Sequence, residues 1–169
     1  MENQELKHII KTIENLMIED NKMKIAEYII PGPPVSMARP RFWNGRAVTA
    51  KKSRDYKRLA EKLIKLQLKN AGNIKAEEDH VLHVDIQYFF PRPKSLKRKK
   101  DSQEYIPHFK KPDLDNLIKM TNDILSDLAF HDDRQIFKIT SQKFYTTYDY
   151  QTKKEGFIGS IIKIWVLEC

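Results

Sequence analysis

Hydrophobic positions along this chain change period several times, and each change marks an element. Leu6, Ile9, Ile10, Ile13, Leu16 and Met17 recur at intervals of three and four, which predicts an amphipathic helix over residues 4–20. Ile25–Ile30 predicts a short strand, stopped by Pro31-Gly32-Pro33-Pro34. Asn44-Gly45 is the strongest hairpin signal in the chain, because both residues accept the positive φ of a tight primed turn. Ser53 is expected to cap a helix over 54–70 whose buried stripe is Leu59, Leu63, Ile64 and Leu66, closed by Ala71-Gly72-Asn73. Val81–Phe90 alternates, with His83, Asp85 and Gln87 on one side and Leu82, Val84, Ile86 and Tyr88 on the other. A helix over 114–128 gathers Leu114, Leu117, Ile118, Thr121, Ile124, Leu125 and Leu128 on one face and Asp115, Lys119 and Asp123 on the opposite one. Two β-rich stretches, Ile136–Thr147 and Phe157–Leu167, close the chain.

The order α, β, hairpin, α, β, α, β, β describes one α/β domain of the α+β type, a mixed and largely antiparallel sheet packed against helices. It occupies residues 23–169, and the helical segment 1–22 reads as an extension of it. No internal repeat is visible. At 169 residues with 40% hydrophobic content, the chain has the size and core of one ordinary domain.

Composition narrows the compartment and the partner. No apolar run approaches the length of a membrane span, and the first residues lack the basic-then-apolar order of a signal peptide. The single cysteine, Cys169, excludes a disulfide framework and a cysteine-based zinc site, which fits a reducing cytoplasm. A net charge of +8 suggests a polyanion such as nucleic acid. The positive charge is concentrated. Arg39, Arg41 and Arg46 flank the hairpin turn, and Arg92, Lys94, Lys97, Arg98, Lys99 and Lys100 crowd a loop running over 91–111 that ends in Lys110 and Lys111. A loop of this length is expected to order on a polyanion.

Against that background the acids stand out. Asp113 and Asp115 open the helix at 114, and Asp132 and Asp133 follow its end. The plainest account is an acidic cap favoured by the helix dipole, with an i,i+4 pair between Asp115 and Lys119. The alternative is a metal cradle. Bare carboxylates repel a phosphodiester, whereas hard oxygen ligands holding Mg²⁺ invert the local charge, and a nearby lysine can stabilise the same transition state. Reach is the difficulty. A helix over 116–128 is about 20 Å long, and six extended residues cover about the same distance. Asp133 therefore meets Asp115 only if the helix is short or bent, if the loop doubles straight back, or if two subunits share the site.

Taken together, "KKPDLDNLIKMTNDIL" and "HDDRQI" resemble the signature of RusA-type Holliday-junction resolvases, the crossover junction endodeoxyribonucleases common in bacterial prophages. Asp113, Asp115, Asn116, Leu117, Lys119, Asp123, Asp132 and Asp133 all match that signature, and "GRAVTAKKSRDYK" and "FFPRPKSLKRKK" resemble stretches upstream of it. The resemblance covers about residues 25–168; the N-terminal helix departs from the compact pattern. It implies a Mg²⁺-dependent homodimer, with Mn²⁺ as a substitute metal, that binds four-way DNA junctions and nicks two opposed strands in recombination and repair. By the same resemblance, Asp113, Asp115 and Asp133 are the metal-binding catalytic acids, joined at the metal by Asp132. Lys119 is the essential lysine, and Asn116 and Asp123 support the site. The arginines and lysines named above, Lys110 and Lys111 included, become the DNA contacts.

Two other readings stay open. A non-catalytic branched-DNA binding module would use the acids only to cap and brace a helix. A PD-(D/E)xK nuclease begins well at Pro112-Asp113 but lacks an acid-x-Lys pair on the following strand, since Ser141 and Gln142 precede Lys143. No zinc spacing among the histidines and no phosphate-binding G-x-x-x-x-G-K-[ST] loop occurs, so no nucleotide cofactor is expected.

Overall fold

The computed structural model describes residues 22–38, 41–43, 46–48, 50–70 and 72–167, with backbone alone at 41–43, 46–48 and 70. The expected N-terminal helix, Arg39 and the Asn44-Gly45 turn lie outside the described residues. The long strands are β1 (Lys22–Pro31), β4 (Val81–Phe90), β6 (Ile136–Tyr145) and β9 (Gly159–Leu167). With the short β5 (Ile106–Pro107) they form one sheet in the order β1-β9-β4-β6-β5. Only β4 and β6 run parallel; the other pairings are antiparallel, as a mixed α+β sheet requires. Two small ribbons stand apart, β2 (Arg41–Trp43) with β3 (Arg46–Val48), and β7 (Tyr148–Asp149) with β8 (Lys154–Glu155). Two helices, α1 (Lys51–Asn70) and α2 (Leu114–Leu125), supply the second layer. Among the described residues no helix is long and apolar enough to cross a membrane.

Alternation in the strands decides which face is covered. Leu82, Val84, Ile86 and Tyr88 of β4, Ile162 and Ile164 of β9, and Tyr28 and Ile30 of β1 point into the core. A bulge between Lys24 and Ala26 turns Ile25 and Ala26 inward together. From α2, Leu117, Met120, Thr121, Ile124 and Leu125 meet this face. Burying each of the large apolar side chains contributes roughly 2 kcal/mol. The Tyr88 hydroxyl and Thr121 Oγ1 share a hydrogen bond of 2.7 Å, which fixes the rotation of α2 on the sheet. The helix ends at Leu125, a turn earlier than periodicity implied, and Met120 joins the buried face that the sequence reading gave to Ile118.

The first helix corrects two expectations. It begins at Lys51, so Ser53 lies inside it, buried, with Oγ donating to Ser36 O at 3.2 Å rather than capping. The stripe is also rotated. Ser53, Tyr56, Leu63, Ile64 and Gln67 all fall within about 60° of Ala60 at 100° per residue, whereas Leu59 and Leu66 fall about 100–120° away. Ala60 and Ile64 are buried and Leu59 and Leu66 are 53% and 57% exposed. Two polar residues occupy this geometry usefully. Gln67 exchanges hydrogen bonds with the backbone of Ile29 (2.8 and 2.9 Å), and Asn73 does the same with Glu27 (2.9 and 3.1 Å). These side chains occupy main-chain groups on the free edge of β1 that would otherwise recruit another strand.

Candidate active site

Connectivity separates the two acid pairs. The chain leaves β4, crosses through α2 and returns as β6 parallel to β4, so α2 runs against both strands. Asp113 is the N-cap residue at one end of α2, with extended backbone and no capping hydrogen bond from its side chain. It is exposed, as is Asp115 within the first turn, at the dipole-favoured end of the helix. Asp115 makes two long contacts, accepting from Asn116 Nδ2 at 3.4 Å and, between exposed side chains, from Lys119 Nζ at 3.5 Å, so the i,i+4 pair exists but binds weakly. Asp123 is exposed on the same side of the helix.

Asp132 and Asp133 lie beyond the other end. The 12 residues of α2 rise about 18 Å. The strand supplies a second ruler. Lys143 of β6 donates from Nζ to Lys110 O and Pro112 O, both at 2.7 Å, directly behind Asp113. Seven residues earlier, at about 3.3 Å per residue, β6 starts at Ile136 next to Asp133. Both measures put the acid pairs on the order of 20 Å apart within one chain. Among the described residues no three His, Cys, Asp or Glu side chains gather closely enough to hold a metal ion. One chain therefore brings together Asp113, Asp115 and Lys119, and does not bring Asp132 or Asp133 to them.

The far end has its own setting. A short 3-10 turn, Asp133–Gln135, is closed by a capping box in which Asp132 accepts from Arg134 N at 2.8 Å and Gln135 Oε1 accepts from Asp132 N at 3.2 Å. Arg134 Nε also donates to Asp132 at 2.9 Å, and these bonds hold the Asp132 carboxyl below its usual range. Asp133 is exposed. An open cleft of about 940 Å³ adjoins, lined by Glu78, Asp79, His80, His131, Asp132, Arg134 and Phe137 among others.

Positive charge collects instead at the start of α2. Lys110 and Lys111 are exposed immediately before it, and Lys143 lies beneath. Met37 N donates to Asn116 O at 2.9 Å, which ties the segment leading into the β2–β3 ribbon to the first turn of α2. Arg41 and Arg46 lie on the two strands of that ribbon, where Trp43 pairs with Arg46.

The basic loop is more internally organised than expected. Arg92 is buried. Its guanidinium donates to the carbonyls of Thr146, Leu96, Ser102 and Glu104, gathering the loop around itself rather than facing solvent as the anticipated phosphate contact. Lys97 pairs with Glu155 at 3.2 Å and lies over the Tyr148 ring, and Arg98 forms a forked pair with Asp101. Lys94, Lys99 and Lys100 remain exposed. Sequence reasoning missed Lys143, because it sought an acid two residues before a lysine, and here the lysine comes from a neighbouring element to the backbone carbonyls just before Asp113. It also passed over Phe109, whose signal was a bulky apolar residue inside "PHFKKPD".

Comparison with known proteins closes the argument. Over a 68-residue stretch the chain is 35% identical to the Bacillus subtilis (strain 168) protein YqaN, which corresponds to 37% of this chain and 48% of that one. The chain thus spans about half the length of the curated relative it matches. A family profile described as "Endodeoxyribonuclease RusA" matches residues 31–149, well over half of the chain and inclusive of both acid pairs, the lysine-rich loop and α2. The chain belongs to the RusA endodeoxyribonuclease family.

Proposed function

We propose that this protein is a Mg²⁺-dependent, structure-selective endonuclease that acts as a homodimer on four-way DNA junctions and nicks two opposed strands. The observation that carries the reading is the weakly held carboxylate pair Asp113 and Asp115, exposed at a lysine-rich helix start inside the segment matched to an endodeoxyribonuclease family. Carboxylates used only to cap a helix would be hydrogen-bonded to its first amides, and the Asp113 side chain is not.

The donor set suits a hard divalent cation, Mg²⁺ or its substitute Mn²⁺, with Asp113 and Asp115 from one subunit and Asp133, supported by Asp132, from the second. When bound, the metal supplies an activated water and neutralises charge on the phosphate. The 20 Å separation supports the two-chain arrangement: only a second copy can bring Asp133 to Asp113, and a two-fold dimer then yields two equivalent sites for a two-fold junction. Lys119 exchanges its weak pair with Asp115 for a phosphate oxygen in the transition state. Lys94, Lys99, Lys100, Lys110 and Lys111 hold the DNA backbone, with Arg41 and Arg46 contributing from the ribbon, Arg39 joining them, and Lys97 and Arg98 at the loop rim. Asn116 fastens the ribbon's entry through its carbonyl, and Asp123 extends the acidic helix face.

The test is cleavage of a labelled mobile four-way junction with and without Mg²⁺, beside duplex and flap controls. Paired nicks at the branch point that require Mg²⁺ are expected; cleavage of duplex at the same rate would overturn the substrate assignment. The scattered acids of the single chain favour a second reading, a branched-DNA binding module. That reading expects Mg²⁺-insensitive binding and no nicked product at any protein concentration.

A further inference from the structure

Phe109 is 79% exposed, more than any other large apolar side chain among the described residues. Its neighbours do not let it turn away. His108 N donates to Lys143 O at 2.9 Å, and the buried His108 ring packs against Phe90 and Tyr145 with both centroid distances 4.4 Å. On the other side, Lys143 Nζ holds Lys110 O at 2.7 Å. Residues 108 and 110 are pinned by the same strand residue, and extended backbone alternates its side chains, so with His108 in, Phe109 points out. The nearby aromatic group of Phe89, Tyr105, Phe144 and Phe157 does not absorb it. A phenyl ring fixed in water next to Lys110 and Lys111, four residues before Asp113, combines the two elements of single-strand recognition, a flat apolar platform and cations for the backbone.

We infer that Phe109 stacks against a DNA base splayed out at the branch point, beside the phosphates held by Lys110 and Lys111. The inference rests on the endonuclease reading and adds a selectivity determinant to it. Stacked duplex offers no free base face, whereas a branch point has bases that unstack cheaply, so the ring distinguishes the two without reading sequence. A second copy of this chain is the competing occupant. The lysines on the C-terminal side of the ring and Lys143 beneath it favour a polyanion over an equally basic surface.

The experiment uses the full chain with Ca²⁺ in place of Mg²⁺, and a four-way junction carrying 2-aminopurine next to the crossover. Wild type is expected to change the probe's fluorescence on binding. Phe109→Ala should abolish that change and weaken junction binding about tenfold, within the range of one base–aromatic stack, with duplex binding unaltered. Phe109→Trp should retain both properties. Unchanged junction affinity and fluorescence in Phe109→Ala would overturn the inference while leaving the nuclease reading intact. A shift from dimer to monomer in sedimentation would overturn it in favour of a subunit contact. Failure of wild type to prefer the junction over duplex would overturn the substrate reading and this inference with it.

Discussion

At the start of α2 two carboxylates stand exposed with almost nothing to hold, while at its far end one of two neighbouring carboxylates is fully employed. Asp113 makes no cap bond, and Asp115 only long contacts with Lys119 and the Asn116 amide. Asp132 closes a capping box and binds Arg134, leaving Asp133 exposed beside it. The surroundings differ in the same sense. Lysines frame the first pair, whereas Glu78 and Asp79 line the cleft at the second. Local commitment thus separates carboxylates that build the fold from those left available to a ligand, a distinction that counting aspartates along the sequence misses. The contrast predicts that substitutions at the two ends affect different properties.

The largest effect is expected at the start of α2. Asp113→Asn should reduce Mg²⁺-dependent junction cleavage by about a thousandfold or more, since under the proposed function it removes a metal ligand while keeping shape. Melting temperature and junction binding should stay at wild-type level. Mixed dimers sharpen this further. If each site takes Asp113 from one chain and Asp133 from the other, co-refolding Asp113→Asn with Asp133→Asn leaves one intact site per heterodimer. Single nicks in a cruciform plasmid should then reappear. Mixing Asp113→Asn with Asp115→Asn should restore nothing, because both substitutions lie at the same end. Equal silence in the two mixtures would return the site to a single chain and sink the two-subunit arrangement.

Much of this contrast was legible in the residues. The alternation in Val81–Phe90 and the face of α2 placed most of the core, Met120 in place of Ile118 and the buried His83 excepted, because burial on one side imposes a period. In α1 the same logic chose Leu59 and Leu66 over Ala60 and Gln67. Hydrophobicity ranked the leucines higher, but close approach of helix to sheet selected a small residue, and the bare edge of β1 selected an amide. Arg92 misled for a related reason: a guanidinium in a basic run looks like a phosphate ligand, and nothing local reveals that four carbonyls will converge on it. The acids were recognisable as a set, yet their separation is set by the antiparallel path of α2 against β6, a tertiary property.

Stability effects come next, and they should fall outside the acid pair at Asp113. Arg92→Ala leaves the carbonyls of Thr146, Leu96, Ser102 and Glu104 without their donor. The cost is on the order of 3 kcal/mol, or roughly 6–12 °C of melting temperature for a chain of this size. Arg92→Lys should rescue little, since one ammonium cannot span that fork. A wild-type melting curve from Arg92→Ala would show that the loop organises itself without this centre. A smaller effect is expected at His108. Burial, with Lys143 and Lys110 adding to it, lowers the imidazole below its ordinary value of 6.5. The folded protein therefore binds fewer protons there than the unfolded chain does. Stability from this residue is complete above pH 6.5 and declines as pH falls toward the depressed folded value. His108→Phe keeps the ring contacts with Phe90 and Tyr145 and should flatten the melting profile as pH falls below 6.5.

The smallest effect belongs to Asp132, and it bears most directly on the difference between the two ends. Its carboxyl titrates below the ordinary 3.8, chiefly through the Arg134 side-chain hydrogen bond and then the Arg134 amide. A depressed carboxylate stabilises the fold above its unfolded pKa and loses that contribution as pH falls through the folded value. Asp132→Ala should accordingly melt a few degrees below wild type at pH 7, with the gap closing below about pH 4 as the wild-type carboxyl protonates. Asp133→Ala, lacking those bonds, should show no such gap at either pH while still abolishing cleavage. If instead Asp132→Ala melts like wild type at pH 7 and loses cleavage as completely as Asp133→Ala, the capping box is not its main task. Both far-end acids would then be ligands, and the division of labour drawn from their hydrogen bonds would fail at the residue where it is most explicit.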